Sequence, residues 1–231
     1  MLALKPFIYS IFVLVITSTK SILLLLHSCC FGYNLRMSER LVHLVRHGET
    51  GWNKEFRVQG TTDIPLSEEG ERQARELIPQ LKEIKFDRVY TSVLRRAIQT
   101  AEIALDGAEI PLHRHGGLNE RRFGEYEGKT WAEIDAQYGE GALNNRDPLG
   151  GETREEFELR VNGTLDEILA NHLGETILIV THGGTVREIK KRLDIAAAHV
   201  DGIGYEIANC SVMTFEIPNE DINVATTAEL N

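Results

Sequence analysis

At 231 residues, 42% of them hydrophobic, the chain has enough apolar material for one sizeable core and little to spare for a second. Asp and Glu number 35 against 25 Lys and Arg, a formal net charge of -10. That balance excludes general nucleic-acid binding, which rests on neutralising phosphates with basic side chains, but leaves room for a small anion held by a few local arginines.

Residues 1–36 stand apart from the rest. Phe7 to Ile16 and Ser21 to Leu26 are apolar, with Lys5 in front and Lys20 between them. Such a leader resembles a signal peptide or membrane anchor, yet neither run reaches the ~20 residues of a spanning helix. Met37-Ser38-Glu39-Arg40 reads equally well as a start just ahead of the first core strand. The domain is therefore placed at 37–217, after a hydrophobic leader at 1–36 and before a polar tail at 218–231. Of the cysteines, Cys29 and Cys30 fall in the leader and Cys210 stands alone in the domain, which is neither a disulfide framework nor a zinc spacing. A reduced, cytoplasmic protein is expected, with membrane attachment or export only if the leader is genuine.

Leu41 to Val45 is an apolar run that ends in Arg46-His47-Gly48, and reads as a buried strand whose carboxyl end carries both polar side chains into a loop. The glycine-rich, polar stretch 48–60 reads as a loop able to wrap a ligand. Ser67 caps a helix with Glu68 and Glu69 in its first turn, Ala74, Leu77, Leu81 and Ile84 form its apolar stripe, and Pro79 should kink or shorten it. A strand from Phe86 to Ser92 and a helix from Val93 to Leu105 follow, which puts Ser92, Arg95 and Arg96 at a junction suited to an anion. Ile110 to His115 is a short strand. Thr130 caps a helix to Tyr138, and a longer helix spans Thr153 to His172, with Phe157, Val161, Leu165, Ile168 and Leu169 inward and Gly174 as its stop. Thr176 to Thr181 repeats the first construction and ends in His182-Gly183-Gly184, a helix covers Thr185 to Leu193, and Cys210 to Ile217 is a last strand. Strands alternating with helices predict an α/β three-layer sandwich, a mostly parallel central sheet with helices on both faces.

Arg46, His47, Arg96, Glu120 and His182 all fall at predicted strand ends or in glycine-rich loops. Two arginines offer permanently charged forks matched to phosphate oxygens, two imidazoles offer a nucleophile and a donor, and a glutamate can carry a leaving-group proton. The guanidinium groups can carry the charge stabilisation, so no metal and no cofactor is expected.

At these residues the chain resembles the histidine phosphatase superfamily, which includes cofactor-dependent phosphoglycerate mutases and many small-molecule phosphatases. The resemblance runs from about Leu41 to Phe215, and rests on LVRHGETGWN at 44–53, TSVLRRAIQTA at 91–101, LNERRFGEYEGK at 118–129 and VTHGG at 180–184. It implies that His47 attacks phosphorus and becomes a phosphohistidine, that Arg46, Arg96 and His182 surround the phosphoryl oxygens, and that Glu120 protonates the leaving alcohol. Asn53, Gln59, Gly60 and Gly183 are the substrate-binding residues it adds. Its pattern selects Arg96 over Arg95, which is read as a solvated helix face.

Plainer readings apply elsewhere. His43 is read as a core or sheet-face residue, His113 and His115 lack metal-spaced partners, Trp52 is read as packing, and Tyr126 as packing or pocket wall. Arg57, Arg121 and Arg122 either border the pocket and read a second substrate charge or lie on the surface. Glu152 to Glu158 is read as an exposed, acid-rich helix start.

Within the family, a glutamine before the glycine at Gln59-Gly60 and the short stretch from Glu120 to His182 both favour a phosphatase over a mutase. The stretch 120–128, with 150–153, resembles the α-ribazole phosphatase and broad-specificity group. The expected partner is a small phosphate ester. A phosphoglycerate mutase is the first alternative, and an inactive phosphate-binding member the second.

Overall fold

Among the described residues of the computed structural model, five strands form one sheet in the order β3-β2-β4-β1-β5: β1 (Arg40–Arg46), β2 (Arg88–Thr91), β3 (Leu112–Arg114), β4 (Thr176–Thr181) and β5 (Val212–Ile217). The pairs β1 with β4, β4 with β2 and β2 with β3 are parallel, and β5 runs antiparallel to β1 at one edge. The structure describes residues 40–172, 175–196 and 207–217. The chain divides into two units, 1–35 and 36–231, and every described residue belongs to the second. The leader, Gly174 and the tail lie outside the described residues. Within them, no helix is long and apolar enough to cross a membrane.

The continuous apolar runs of the inner strands are explained by cover on both faces. Along β4, Ile177 and Ile179 enter one core while Leu178 and Val180 enter the other, the two-residue period of a strand. The first core is closed by Phe157, Val161, Leu165 and Ile168 of α7 (Arg154–Asn171) and by Val186, Ile189 and Leu193 of α8 (Gly183–Ala196). The second is closed by Ala97, Ala101 and Ala104 of α4 (Arg95–Ala104) together with Leu77 and Leu81. A smaller cluster of Val58, Tyr126, Ile134 and Ala142 gives the segment between β3 and α7 a core of its own, so Tyr126 is packing and not pocket wall.

Pro79 acts as expected. Instead of one helix there are two, α2 (Glu68–Glu76) and α3 (Ile78–Lys82), with the proline in the first turn of the second, where its missing N–H costs nothing. The loop at 48–60 holds one short helix, α1 (Gly51–Lys54), closed by a reciprocal box in which Thr50 Oγ1 accepts from Asn53 N and Asn53 Oδ1 accepts from Thr50 N. The same box starts α5 (Trp131–Tyr138), through Thr130 and Glu133, and α7, through Thr153 and Glu156. A further short helix, α6 (Ala142–Asn145), lies between these two. The helix after β4 starts at the glycines that follow His182, with Gly183 as its first residue.

Candidate active site

Strand register sets the two histidines side by side. Arg46 of β1 pairs with Thr181 of β4, so the next residues, His47 and His182, emerge at the same level, and His47 N donates to Thr181 O at 2.8 Å. Their rings lie 5.2 Å apart, centre to centre. β2 ends beside β4 with Thr91 opposite Val180, which brings Ser92 to the same edge. All three strand ends open on the carboxyl side of the parallel sheet, where α/β folds bind ligands.

His47 Nδ1 lies 2.7 Å from Gly48 O. A carbonyl only accepts, so Nδ1 carries the hydrogen and Nε2 carries the lone pair. His182 has the opposite tautomer. Its Nδ1 accepts from Arg96 Nε at 3.2 Å, so its Nε2–H donates to Ser92 Oγ at 2.7 Å. Ser92 in turn donates to Asn119 Oδ1 at 3.0 Å and accepts from Leu94 N at 3.0 Å, which fills its hydroxyl. Ser92 and Asn119 thereby fix which face of His182 meets Arg96.

Arg96 lies in the first turn of α4 and is wholly buried. Its terminal nitrogens donate to Gly60 O at 2.7 Å and Thr62 O at 2.9 Å. Burial pushes its guanidinium down to about 10, against the pull of Glu120, Asp63 and Glu127. Arg46 donates to Ile207 O, and the segment 207–210 grips the same strand end twice more, through Cys210 N to Arg46 O at 3.0 Å and Asn209 Nδ2 to His47 O at 2.8 Å. Burial also pushes the Cys210 thiol up to about 12, which makes it a poor nucleophile.

Glu120 Oε2 accepts from Gly184 N at 2.8 Å, at the start of α8, and Oε1 accepts from Arg121 N at 2.9 Å. A side chain at Gly184 would put its Cβ 2.3 Å from Glu120 Oε1, so glycine is what allows this approach. The loop carrying Glu120 is held by Arg160, which donates to the carbonyls of Gly117, Asn119 and Glu120 while pairing with Glu152 at 2.7 Å. Glu152 therefore does not belong to an exposed acidic helix start. It is largely enclosed, and although burial pushes its carboxyl up, Arg160 and the Arg122 N–H outweigh that and hold it below the usual range.

Of the remaining proposed binding residues, Asn53 has Oδ1 committed to the α1 cap, so its amide NH2 is what it has to offer a ligand. Gln59 is buried with no hydrogen-bond partner for Oε1. Gly60 faces Arg96 through its carbonyl, and Gly183 starts α8. His43 is buried against Phe86 and meets Thr214 Oγ1 at 2.9 Å. His115 caps the turn at Gly117, and Arg95 is exposed.

Sequence reasoning missed Asn119, Glu127, Arg160 and Asn209, and placed Ser92 at the anion junction without its role of orienting His182. Asn119 and Glu127 lie inside the 118–129 motif, and only their partners, far away in sequence, show what they do.

Both imidazoles are pushed well below their ordinary value of 6.5, first by burial and then by the positive field of Arg96, with Arg46 adding to it; the Gly48 carbonyl pulls His47 the other way. Below about pH 6.5 the unfolded chain takes up protons at these two positions and the folded chain does not, so stability rises with pH there and is lost as pH falls. Urea melts at about pH 7.5 and 5.5 should show this loss, and His182→Gln should show a smaller one; an equal loss in the variant would mean that His182 protonates as readily folded as unfolded.

An α/β sheet with two arginines and two histidines converging on the carboxyl ends of its parallel strands is built to hold an anion. The chain belongs to the histidine phosphatase superfamily (branch 1), whose family model matches residues 42–229. It is 35% identical over 187 residues to phosphoglycerate mutase-like protein 4 of Arabidopsis thaliana, covering 77% of this chain and 80% of the relative. It is 37% identical over 194 residues to a 2,3-bisphosphoglycerate-dependent phosphoglycerate mutase of Bifidobacterium longum, covering 68% and 78%. Among solved structures it is similar to a mycobacterial glucosyl-3-phosphoglycerate phosphatase in complex with VO3, with a TM-score of 0.66 and 26% identity over 76% of this chain and 90% of that one. The protein is thus an enzyme of the phosphatase and phosphoglycerate mutase type.

Proposed function

We propose that the protein is a metal-independent phosphomonoesterase that hydrolyses a small phosphorylated metabolite through a phosphohistidine at His47. The observation that carries this is the His47 tautomer: Nδ1–H is spent on Gly48 O, leaving the Nε2 lone pair on an imidazole held neutral between two guanidinium groups. Nε2 attacks phosphorus, the bond to the leaving oxygen breaks, and Glu120 gives that oxygen its proton. The phosphorylated ring is cationic, and Gly48 O stabilises its Nδ1–H. Water then attacks phosphorus, Glu120 takes its proton, and the P–N bond breaks to restore His47. Arg46 and Arg96 balance the charge on the phosphoryl oxygens, the work a metal would otherwise do. His182, held by Ser92 at Nε2, keeps the Arg96 guanidinium beside the phosphoryl oxygens through Nδ1. Asn53, Gln59, Gly60 and Gly183 border the phosphoryl group and the alcohol behind it.

Hydrolysis is favoured over mutase chemistry by how the outlying arginines are used. Arg57 is held by Glu55 at 2.7 Å and Glu133 at 3.7 Å, Arg121 by Asp147 at 2.5 Å and the Glu152 carbonyl, and the Arg122 backbone is tied to Glu152. Arg57 and Arg121 are neutralised, so neither suits a phosphoglycerate carboxylate as a counter-charge. A phosphatase among the similar solved structures, the mycobacterial glucosyl-3-phosphoglycerate phosphatase, is in keeping with hydrolysis. The experiment is phosphate release by the full chain in the presence of a chelator, alongside primed phosphoglycerate interconversion. Sustained release, faster from glycerol 3-phosphate than from 3-phosphoglycerate, is expected. Rapid interconversion with negligible release would make it a mutase, and neither activity would make it a binding protein.

A further inference from the structure

The Glu127 carboxylate sits at the centre of five donors. Oε1 accepts from Thr61 N at 3.0 Å, Phe123 N at 3.0 Å and Thr61 Oγ1 at 3.2 Å, while Oε2 accepts from Thr62 N at 2.9 Å and from the Thr62 hydroxyl. Glu127 thus pins the turn 60–62 to the segment that follows Glu120. The other side of that turn holds Arg96, through Gly60 O and Thr62 O. The Gly60–Thr61 peptide is planar and trans, so its N–H and C=O point in opposite directions. Fixing Thr61 N–H on Glu127 therefore aims Gly60 O at Arg96. Gly60 has φ of +53°, and a Cβ there would lie 2.1 Å from Glu127 Oε1, so a side chain at 60 and the Glu127 clamp exclude each other.

We infer that Glu127 is a positioning residue, which sets the Arg96 guanidinium for the phosphoryl group through the turn 60–62 without touching the ligand. This rests on the reading of Arg96 as a phosphoryl ligand. It also has a sign that separates it from simple electrostatics. Glu127 is a negative charge near an anion site, so neutralising it should tighten phosphate binding if charge alone matters. Loss of positioning should weaken it.

The test is inorganic phosphate binding by the full chain, with KM and kcat measured beside it, for wild type, Glu127→Gln and Gly60→Ala. A glutamine can accept from one of the two backbone N–H groups of 61 and 62 but not from both. Glu127→Gln is expected to weaken phosphate binding by about tenfold and to raise KM more than it lowers kcat, in a protein that still melts cooperatively at a somewhat lower temperature. Gly60→Ala keeps every charge and should cause a similar loss, and the double variant should be little worse than either single one. In an Arg96→Lys background Glu127→Gln should add little. Phosphate binding in Glu127→Gln as tight as in wild type, or tighter, overturns the inference, as does unimpaired binding by Gly60→Ala. A wild-type protein that binds no phosphate would instead remove the phosphoryl reading, and this inference with it.

Discussion

Replacing His47 by alanine is expected to lower phosphate release by roughly 10⁶-fold, to the residual acceleration that a binding cup without its nucleophile provides. The size follows from the chemistry. His47 is nearly enclosed, and it is the imidazole of the pair whose lone pair takes no donor among the described residues. His182 stands 5.2 Å away but has Nδ1 on Arg96 and Nε2 on Ser92, so it cannot replace its neighbour without dismantling two contacts. Binding should survive the substitution, since Arg46 and Arg96 remain. Turnover measured on an aryl phosphate, with phosphate binding measured separately, checks both halves; activity retained in the variant would show that another group attacks.

The second large effect is at Glu120, and it should depend on the leaving group. An alkoxide is a poor leaving group without a proton, whereas nitrophenolate departs readily without one. Glu120→Gln keeps the size of the side chain and removes its ability to transfer a proton, at the cost of one backbone contact to Gly184 or Arg121. For an alkyl phosphate, kcat/KM should fall by about 10²–10⁴-fold. For p-nitrophenyl phosphate it should change far less. Comparing the two esters on the same preparation separates proton transfer from misfolding, because a misfolded site loses both. An alkyl ester hydrolysed at the wild-type rate by Glu120→Gln would take the acid role away from this residue.

What could be read from the chain alone was whatever has a local cause. The apolar runs before His47 and His182, the proline break at 79, and the Ser67 and Thr130 caps each depend on neighbours within four residues, so periodicity and residue type reveal them. The parallel pairing of β1 and β4 follows from two such runs, and with it the convergence of the histidines. The four-residue α1 is too short for periodicity to show, although Thr50 and Asn53 carry its cap.

The supports of the site are of another kind. Nothing near Ser92 in sequence indicates that it orients an imidazole 90 residues away, and nothing near Asn209 indicates that it holds the His47 carbonyl. Glu152 looked like an exposed acid because it stands at a helix start, where acids are common. Its pairing with Arg160 and with the Arg122 N–H depends on the path of the 118–153 segment, which no local pattern encodes. Arg57 and Arg121 were equally ambiguous as free-standing residues, and their meaning changes once Glu133 and Asp147 are found beside them.

The most direct measurement is to mix the full chain with substrate, quench in alkali, where a phosphoramidate survives, and locate the phosphoryl group by peptide mass spectrometry. The account predicts phosphate on His47, attached at Nε2, accumulating in Glu120→Gln with an activated ester and absent from His47→Ala. Phosphate on His182 or on another side chain, or rapid turnover with no phosphorylated residue at any time, would contradict it.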